Sequence, residues 1–250
     1  GMLGSVHSMT PADSPLWNEV IANAGAEIDR IARVYGDNVA NMPKAMRNKL
    51  DTDMAKVLDS VRQAYMHDPS PGNAENMRIQ VMNNLKKKYG GHSSWAVWAE
   101  QTDKPKSNME DLSIFENKEI LETLNPEIVL VALNFAIDIK MKPWENFHGK
   151  NGEVYKLRYA LKNTPLWGAY ITDIIVGYVD PNADTTMQYL REYPDIVLEN
   201  VKRFEKEMKD LNFDNPILYA LGDDVFKILN NNLSHKYKIK KISHYGWKVS

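Results

Sequence analysis

The chain has 250 residues, 43% of them apolar and 26% charged, an ordinary balance for a folded domain and far from a disordered one. Its 31 basic and 33 acidic side chains nearly cancel, so no global field draws it to a polyanion, and any phosphate site must come from local clustering. Cysteine is absent, which excludes disulfides, thiolate nucleophiles, zinc–thiolate sites and cysteine-held iron–sulfur clusters together.

In chain order, Leu16, Val20, Ala24, Ile28 and Ile31 fall at spacings of three and four, the period of one helical face, behind a start signal at Asp13, Ser14 and Pro15. Met46, Leu50, Met54, Val57, Val61 and Tyr65 repeat that period and stop before the breakers Pro69, Pro71 and Gly72. Met77, Val81, Met82 and Leu85 give a third helix, Glu75 to Tyr89, closed by Gly90 and Gly91. Ser93 to Trp98 is aromatic and Gln101 to Asn108 polar, an ordered segment followed by a surface loop. Leu112 to Leu124 has helical texture and ends at Asn125 and Pro126.

From there the texture changes. Four short β-like runs, Ile128 to Leu133, Gly168 to Thr172, Pro216 to Leu221 and Lys238 to Ser243, are separated by helical patterns at Val154–Asn163, Met187–Leu211 and Asp223–Leu233. Strand, helix, strand, repeated, predicts an α/β fold: a three-layer α/β/α domain on a four-stranded parallel sheet, spanning 73–250, preceded by a helical N-terminal region, 1–72. The longest apolar run falls short of the roughly 20 residues of a membrane helix, and no export signal is read, so a cytoplasmic protein without a membrane partner is expected.

In such sheets ligands bind outside the carboxyl ends of the strands. That rule selects Asn134 and Phe135, Asp173, Gly222 and Asp223, and His244 to Trp247. No His-Glu-x-x-His, Gly-rich phosphate loop or Gly-x-Ser-x-Gly elbow occurs, and neither His92 nor His148 has a neighbour at metal-ligand spacing, so neither a metal nor a cofactor is expected.

Taken in order, the strand ends resemble those of the uracil-DNA glycosylase superfamily. Val131 to Ala136 (VALNFA) resembles the Gly-x-Asn-Pro-Gly strand end of its mismatch-specific members, with Ala132 and Phe135 in place of the glycine and proline; Asn134 matches the asparagine that positions water. Trp167 to Ile175 (WGAYITDII) is similar to the second-strand motif, with Asp173 where a base-reading asparagine stands. An ionised carboxylate only accepts hydrogen bonds, which disfavours uracil unless Asp173 is protonated. Leu221 and Gly222 resemble the third strand end, and Ser243 to Trp247 (SHYGW) the family's His-Pro-Ser segment, in which His244 matches the histidine that stabilises charge on the departing base.

The resemblance implies a DNA base-excision glycosylase that hydrolyses the N-glycosidic bond of a flipped damaged or deaminated base. It assigns Asn134 and His244 as catalytic, Asp173, Phe147, Trp144 and Phe135 as base-binding, and Ser243, Tyr245, Gly246, Trp247 and Lys248 as DNA-binding. Lys236, Lys238, Lys240 and Lys241 add local positive charge. The expected partner is single- or double-stranded DNA, or a free nucleobase or nucleoside. The alternative is a non-catalytic nucleic-acid or nucleobase-binding module on the same fold.

Overall fold

The computed structural model describes residues 43–67, 71–135, 140–211, 213 and 215–246, with 22–24, 26, 27, 30, 31 and 33; for 58, 60–67 and 71–78 it describes the backbone alone. The chain divides into two compact units, Gly1–Gln80 and Val81–Ser250. The division falls inside a helix, eight residues beyond the boundary expected at 72.

In the first unit, the positions described between 22 and 33 are helical, and α1 spans Lys44–His67. The rest of the expected 15–35 helix lies outside the described residues. A cavity of about 490 Å³ is lined by Ala24, Glu27, Arg30, Asp53 and Val57, and Arg30 and Glu27 pair with each other beside it. Helix α2, Pro71–Tyr89, carries the chain into the second unit, where Gly90 makes its turn: a Cβ there would meet Lys86 O at 2.3 Å.

The second unit is built on a sheet of five strands in the order β1-β3-β2-β4-β5: β1 Ser94–Trp95, β2 Asn125–Ala132, β3 Ala169–Asp173, β4 Ile217–Leu221 and β5 Ile239–Ile242. Strands β2 to β5 run parallel, and the continuous apolar runs of β2 and β4 are those of strands covered on both faces. The expectation of a four-stranded parallel sheet is corrected by β1, which pairs antiparallel with β3 and makes the sheet mixed. Two residues show no periodicity, so this edge strand leaves no pattern in the sequence.

A 3₁₀ turn at Leu112–Glu116 and helix α3, Lys118–Thr123, lead into β2. Helix α4, Tyr155–Leu161, connects β2 to β3; α5, Ala183–Glu192, and α6, Pro194–Asp210, connect β3 to β4; α7, Asp223–Leu233, connects β4 to β5. The single helix expected over 187–211 is two, because Pro194 cannot continue the ladder of α5 and instead opens α6 at its first turn.

Side-chain alternation sorts the core into two faces. Val129, Val131, Tyr170, Leu218 and Ala220 pack with Phe204 and Met208 of α6 and Leu229 of α7. Leu130, Ala132, Ile171 and Leu221 pack with Leu157 and Leu161 of α4 and with Phe147. The sheet thus lies between two layers. The chain leaves β2 over one face toward β3 and leaves β4 over the other toward β5. Adjacent strands with diverging exits create a crevice at their carboxyl ends, here between β2 and β4.

Gly168 joins these parts. Its N–H donates to Ala96 O and its carbonyl accepts from Asn125 N, each at 2.8 Å. Its φ is +85°, and a Cβ would stand 2.1 Å from Thr123 O. Gly168→Ala is therefore expected to destabilise the protein by roughly 2–4 kcal/mol, read as a lower denaturation midpoint at unchanged m-value. A midpoint equal to wild type would show that the backbone here relaxes freely.

Candidate functional site

Beyond β2 and β3 the two chains stay paired past the regular sheet. Ile174 and Ile175 N–H donate to the carbonyls of Ala132 and Leu133 at 2.9 and 2.8 Å, and Phe135 bridges Val179 in parallel register. Asn134, half-buried between them, directs Nδ2 at the carbonyls of Phe135, Tyr178 and Asp180, each at 3.2 Å. Three carbonyls fix which end of the amide carries hydrogen. Its Oδ1 has no partner among the described residues and is left as an acceptor.

At the end of β5, Nδ1 of His244 accepts from Gly246 N–H at 2.9 Å. An accepting Nδ1 places the proton on Nε2, so the ring is a neutral imidazole with one N–H to give. Partial desolvation acts in the same direction and holds His244 below the usual histidine range, although the residue remains exposed. The small residues Gly222 and Gly246 lie against the imidazole, where added Cβ atoms would come within 3.5 Å of His244 Cβ and 3.0 Å of Nδ1. By strand spacing, the axes of β2 and β5 are roughly 10 Å apart, with the crevice between them.

Tyr245 stacks on His244 at 4.2 Å and packs against the face that holds Ala132, Leu221 and Phe147. Its phenol is pushed up first by burial and then by the charge of Asp173. Phe147 and Tyr245 thus share one face of the sheet, with His244 stacked on Tyr245.

Beneath β3 lies a buried polar network. Glu207 of α6, fully enclosed, accepts at Oε1 from Tyr170 and Thr172 hydroxyls at 2.7 Å each and at Oε2 from Arg203 Nη1; His92 Nε2 lies 3.1 Å from Oε2. Burial alone would raise this carboxyl. The hydrogen bond from His92, the Arg203 guanidinium and the Thr172 hydroxyl outweigh it and hold Glu207 below the usual carboxylate range. Arg203 Nη2 donates to the carbonyls of Asp173 and Ile174 at 2.9 and 2.8 Å, clamping the strand end as it turns.

Asp173 itself is 1% exposed, and its Oδ2 accepts from Asn146 Nδ2 at 2.8 Å. Asn146 also donates to His92 O at 2.6 Å and accepts from Phe147 N at 3.1 Å. The 144–148 loop is fixed by Trp144 N to Gly90 O, Trp98 Nε1 to Phe147 O and His148 Nε2 beside Val97 O, at 2.9–3.0 Å. These contacts sustain left-handed backbone at Trp144 and Phe147, φ +67° and +68°, which costs about 1–3 kcal/mol each for such residues.

No protein-family model, curated protein or solved structure matches this chain.

The expected residues thus fall into three groups. Asn134, Phe135, Asp173, Phe147, His244, Tyr245 and Gly246 lie at the strand ends or against them. Trp144 is instead enclosed in the core, 1% exposed, edge-on to Trp95 at 6.2 Å, because its backbone turns it inward. Ser243 is exposed, with no side-chain hydrogen bond among the described residues, and Trp247 and Lys248 lie outside them. Of the lysines, Lys236 pairs with Glu205, Lys241 with Asp223, and Lys240 covers the Tyr219 ring. Among the described residues no group of three or more acidic or histidine side chains is placed to hold a metal, and no helix is long and apolar enough to cross a membrane.

Asn146, Arg203 and Glu207 carry no expectation from the sequence, and His92 is weighed there only as a metal ligand. One signal existed: Glu207 is three residues from Phe204 and adjacent to Met208, inside the apolar stripe Val201, Phe204, Met208, Leu211 of α6. Removing it strands the Arg203 charge. Glu207→Ala is expected to lose about 3–5 kcal/mol. Because the folded pKa is depressed, the ionised carboxylate's contribution is present above its ordinary value of 4.5 and is lost as pH falls through the folded value. Glu207→Gln should therefore flatten the acid limb of wild-type stability below 4.5; an unchanged limb would mean that other carboxylates set it.

Proposed function

We propose that the protein hydrolyses the N-glycosidic bond of a nucleotide flipped out of DNA, with the sugar–base bond seated in the crevice at the carboxyl ends of β2 and β4. What supports this reading is a pair of committed polar groups at the carboxyl ends of β2 and β5, the two strands that flank β4. Asn134, its amide hydrogens held by three backbone carbonyls, presents an oxygen. His244, its Nδ1 occupied by Gly246, presents an N–H. A hydrolysis of this kind needs both.

Water attacks C1′ with a lone pair aimed by the hydrogen bond it gives to Asn134 Oδ1, and the proton it sheds passes through solvent to the base that leaves with the electron pair. The bond to the base breaks with the electron pair leaving on the base, where the charge spreads to a ring carbonyl. His244 Nε2–H, neutral and preorganised, donates to that oxygen as charge builds. Phe147, beside the strand ends on the α4 face, supplies the apolar surface on which a planar base stacks. Asp173 stands at the base edge. Flipping is easiest from a mismatch or single strand, where less stacking and pairing is lost.

Base release from oligonucleotides containing uracil, hypoxanthine, xanthine or a mismatch tests the reading. Asn134→Ala and His244→Ala should each slow release by about 10²–10³-fold with the fold intact by circular dichroism. Release that survives both substitutions moves the chemistry elsewhere. Binding of such oligonucleotides without release by the wild type supports a non-catalytic nucleobase-binding module instead.

A further inference from the structure

We propose that Asp173 works as a neutral carboxylic acid, its Oδ1 proton donated to a carbonyl oxygen on the edge of the bound base. This rests on the base-release reading above and specifies its substrate class: bases that carry a carbonyl where their parent carries an amino group.

Two carboxyl groups are buried beside one another under the end of β3, and their surroundings divide them. Glu207 takes the donors: Tyr170, Thr172, His92 and Arg203. Arg203 directs Nη1 at Glu207 and Nη2 at the backbone carbonyls of Asp173 and Ile174, so among the described residues no cation bonds the Asp173 carboxyl. That group receives one neutral N–H, from Asn146, on Oδ2. Among the described residues Oδ1 has no partner at all. Burial disfavours the ionised form of a carboxyl with so few donors, and a proton removes the charge.

The charged and titratable groups around it are Arg203 and Glu207 from α6, Tyr245 from the turn after β5, His92 from the turn before β1 and His148 from the loop of Asn146. Burial dominates their sum: it raises Asp173 to about 7, against the Asn146 hydrogen bond and the Arg203 charge, with Glu207 adding to the rise. The two acids are driven apart, one ionised and one neutral.

Asn146 also decides which oxygen holds the proton. Its amide is oriented by Phe147 N–H at Oδ1 and by His92 O at Nδ2, so it is a donor to Asp173 and cannot turn into an acceptor. Oδ2 stays the accepting oxygen and the proton sits on Oδ1. An O–H in that place pairs with a carbonyl and opposes an amino group. Deamination makes that exchange, turning the amino group of cytosine or adenine into the carbonyl of uracil or hypoxanthine. Thymine and guanine also carry a carbonyl, so this donor separates deaminated bases from their amino parents alone.

Infrared difference spectra of wild type against Asp173→Asn, recorded from pH 5 to 9, test the protonation directly. A protonated-carboxyl C=O band is expected at pH 6, lost above pH 8 and missing in the variant; its absence at pH 6 overturns the proposal whatever the enzyme releases. Release of uracil and hypoxanthine by the wild type should fall about tenfold for each pH unit above about 7. Asp173→Asn presents an amide N–H in place of the O–H, so its release, whatever its level at pH 6, should no longer fall between pH 7 and 9. A flat wild-type profile, or a fall that persists in the variant, contradicts the proposal. Free uracil and hypoxanthine should bind at pH 6 at least tenfold more tightly than cytosine and adenine, and equal binding overturns the proposal. A wild type that shows the band and this preference yet releases no base counts against the hydrolytic reading alone.

Discussion

Glu207 is enclosed in the second unit and ionised there. Such a charge is tolerable only when donors from several elements converge on it, and here they come from β3, from α6 itself and from the turn before β1. The constraint runs outward from that carboxylate. It fixes Arg203, whose other nitrogen clamps the carbonyls at the end of β3; it fixes His92, whose carbonyl holds Asn146; and Asn146 holds Asp173. Shifting α6 by one residue would break every link.

One consequence is a division of labour between two acids a strand end apart. Glu207 draws most of the donors, the Arg203 guanidinium among them, and is structural. Asp173 is left with a single neutral donor and enough burial to keep its proton near neutrality. At the ends of β2 and β5, Asn134 and His244 are each half-committed to backbone partners, which removes the freedom to present the wrong atom. Preorganisation of this kind lowers the reorganisation required when charge develops.

Much of this was legible in the sequence and some was not, for physical reasons. Strands β2 and β4 carry continuous apolar runs, so Ile128 to Leu133 and Pro216 to Leu221 read as strands without ambiguity, and the strand-end rule then led to Asn134, Asp173 and His244. Strand β1 was hidden because Ser94 and Trp95 are too few to alternate. The break between α5 and α6 was written in Pro194 but masked by apolar spacing that continues on both sides. Trp144 was assigned to base binding by the resemblance of its segment; its left-handed backbone, which turns it into the core, has no sequence signature outside glycine and asparagine. The pairing of Asn146 with Asp173, and of His92 with Glu207, joins residues 27 and 115 positions apart, and no local pattern encodes that.

The central claim places a scissile sugar–base bond between Asn134 and His244 with the base edge at Asp173. The most direct measurement is a crystal structure of the protein with DNA carrying a 2′-fluoro deoxyuridine, whose electron-withdrawing fluorine slows cleavage. The account predicts an extrahelical nucleotide with C1′ facing Asn134 Oδ1 through one water, a base carbonyl within hydrogen-bond distance of His244 Nε2, and a second at Asp173 Oδ1. A nucleotide left stacked in the duplex, or seated away from the carboxyl ends of β2 and β4, would contradict it.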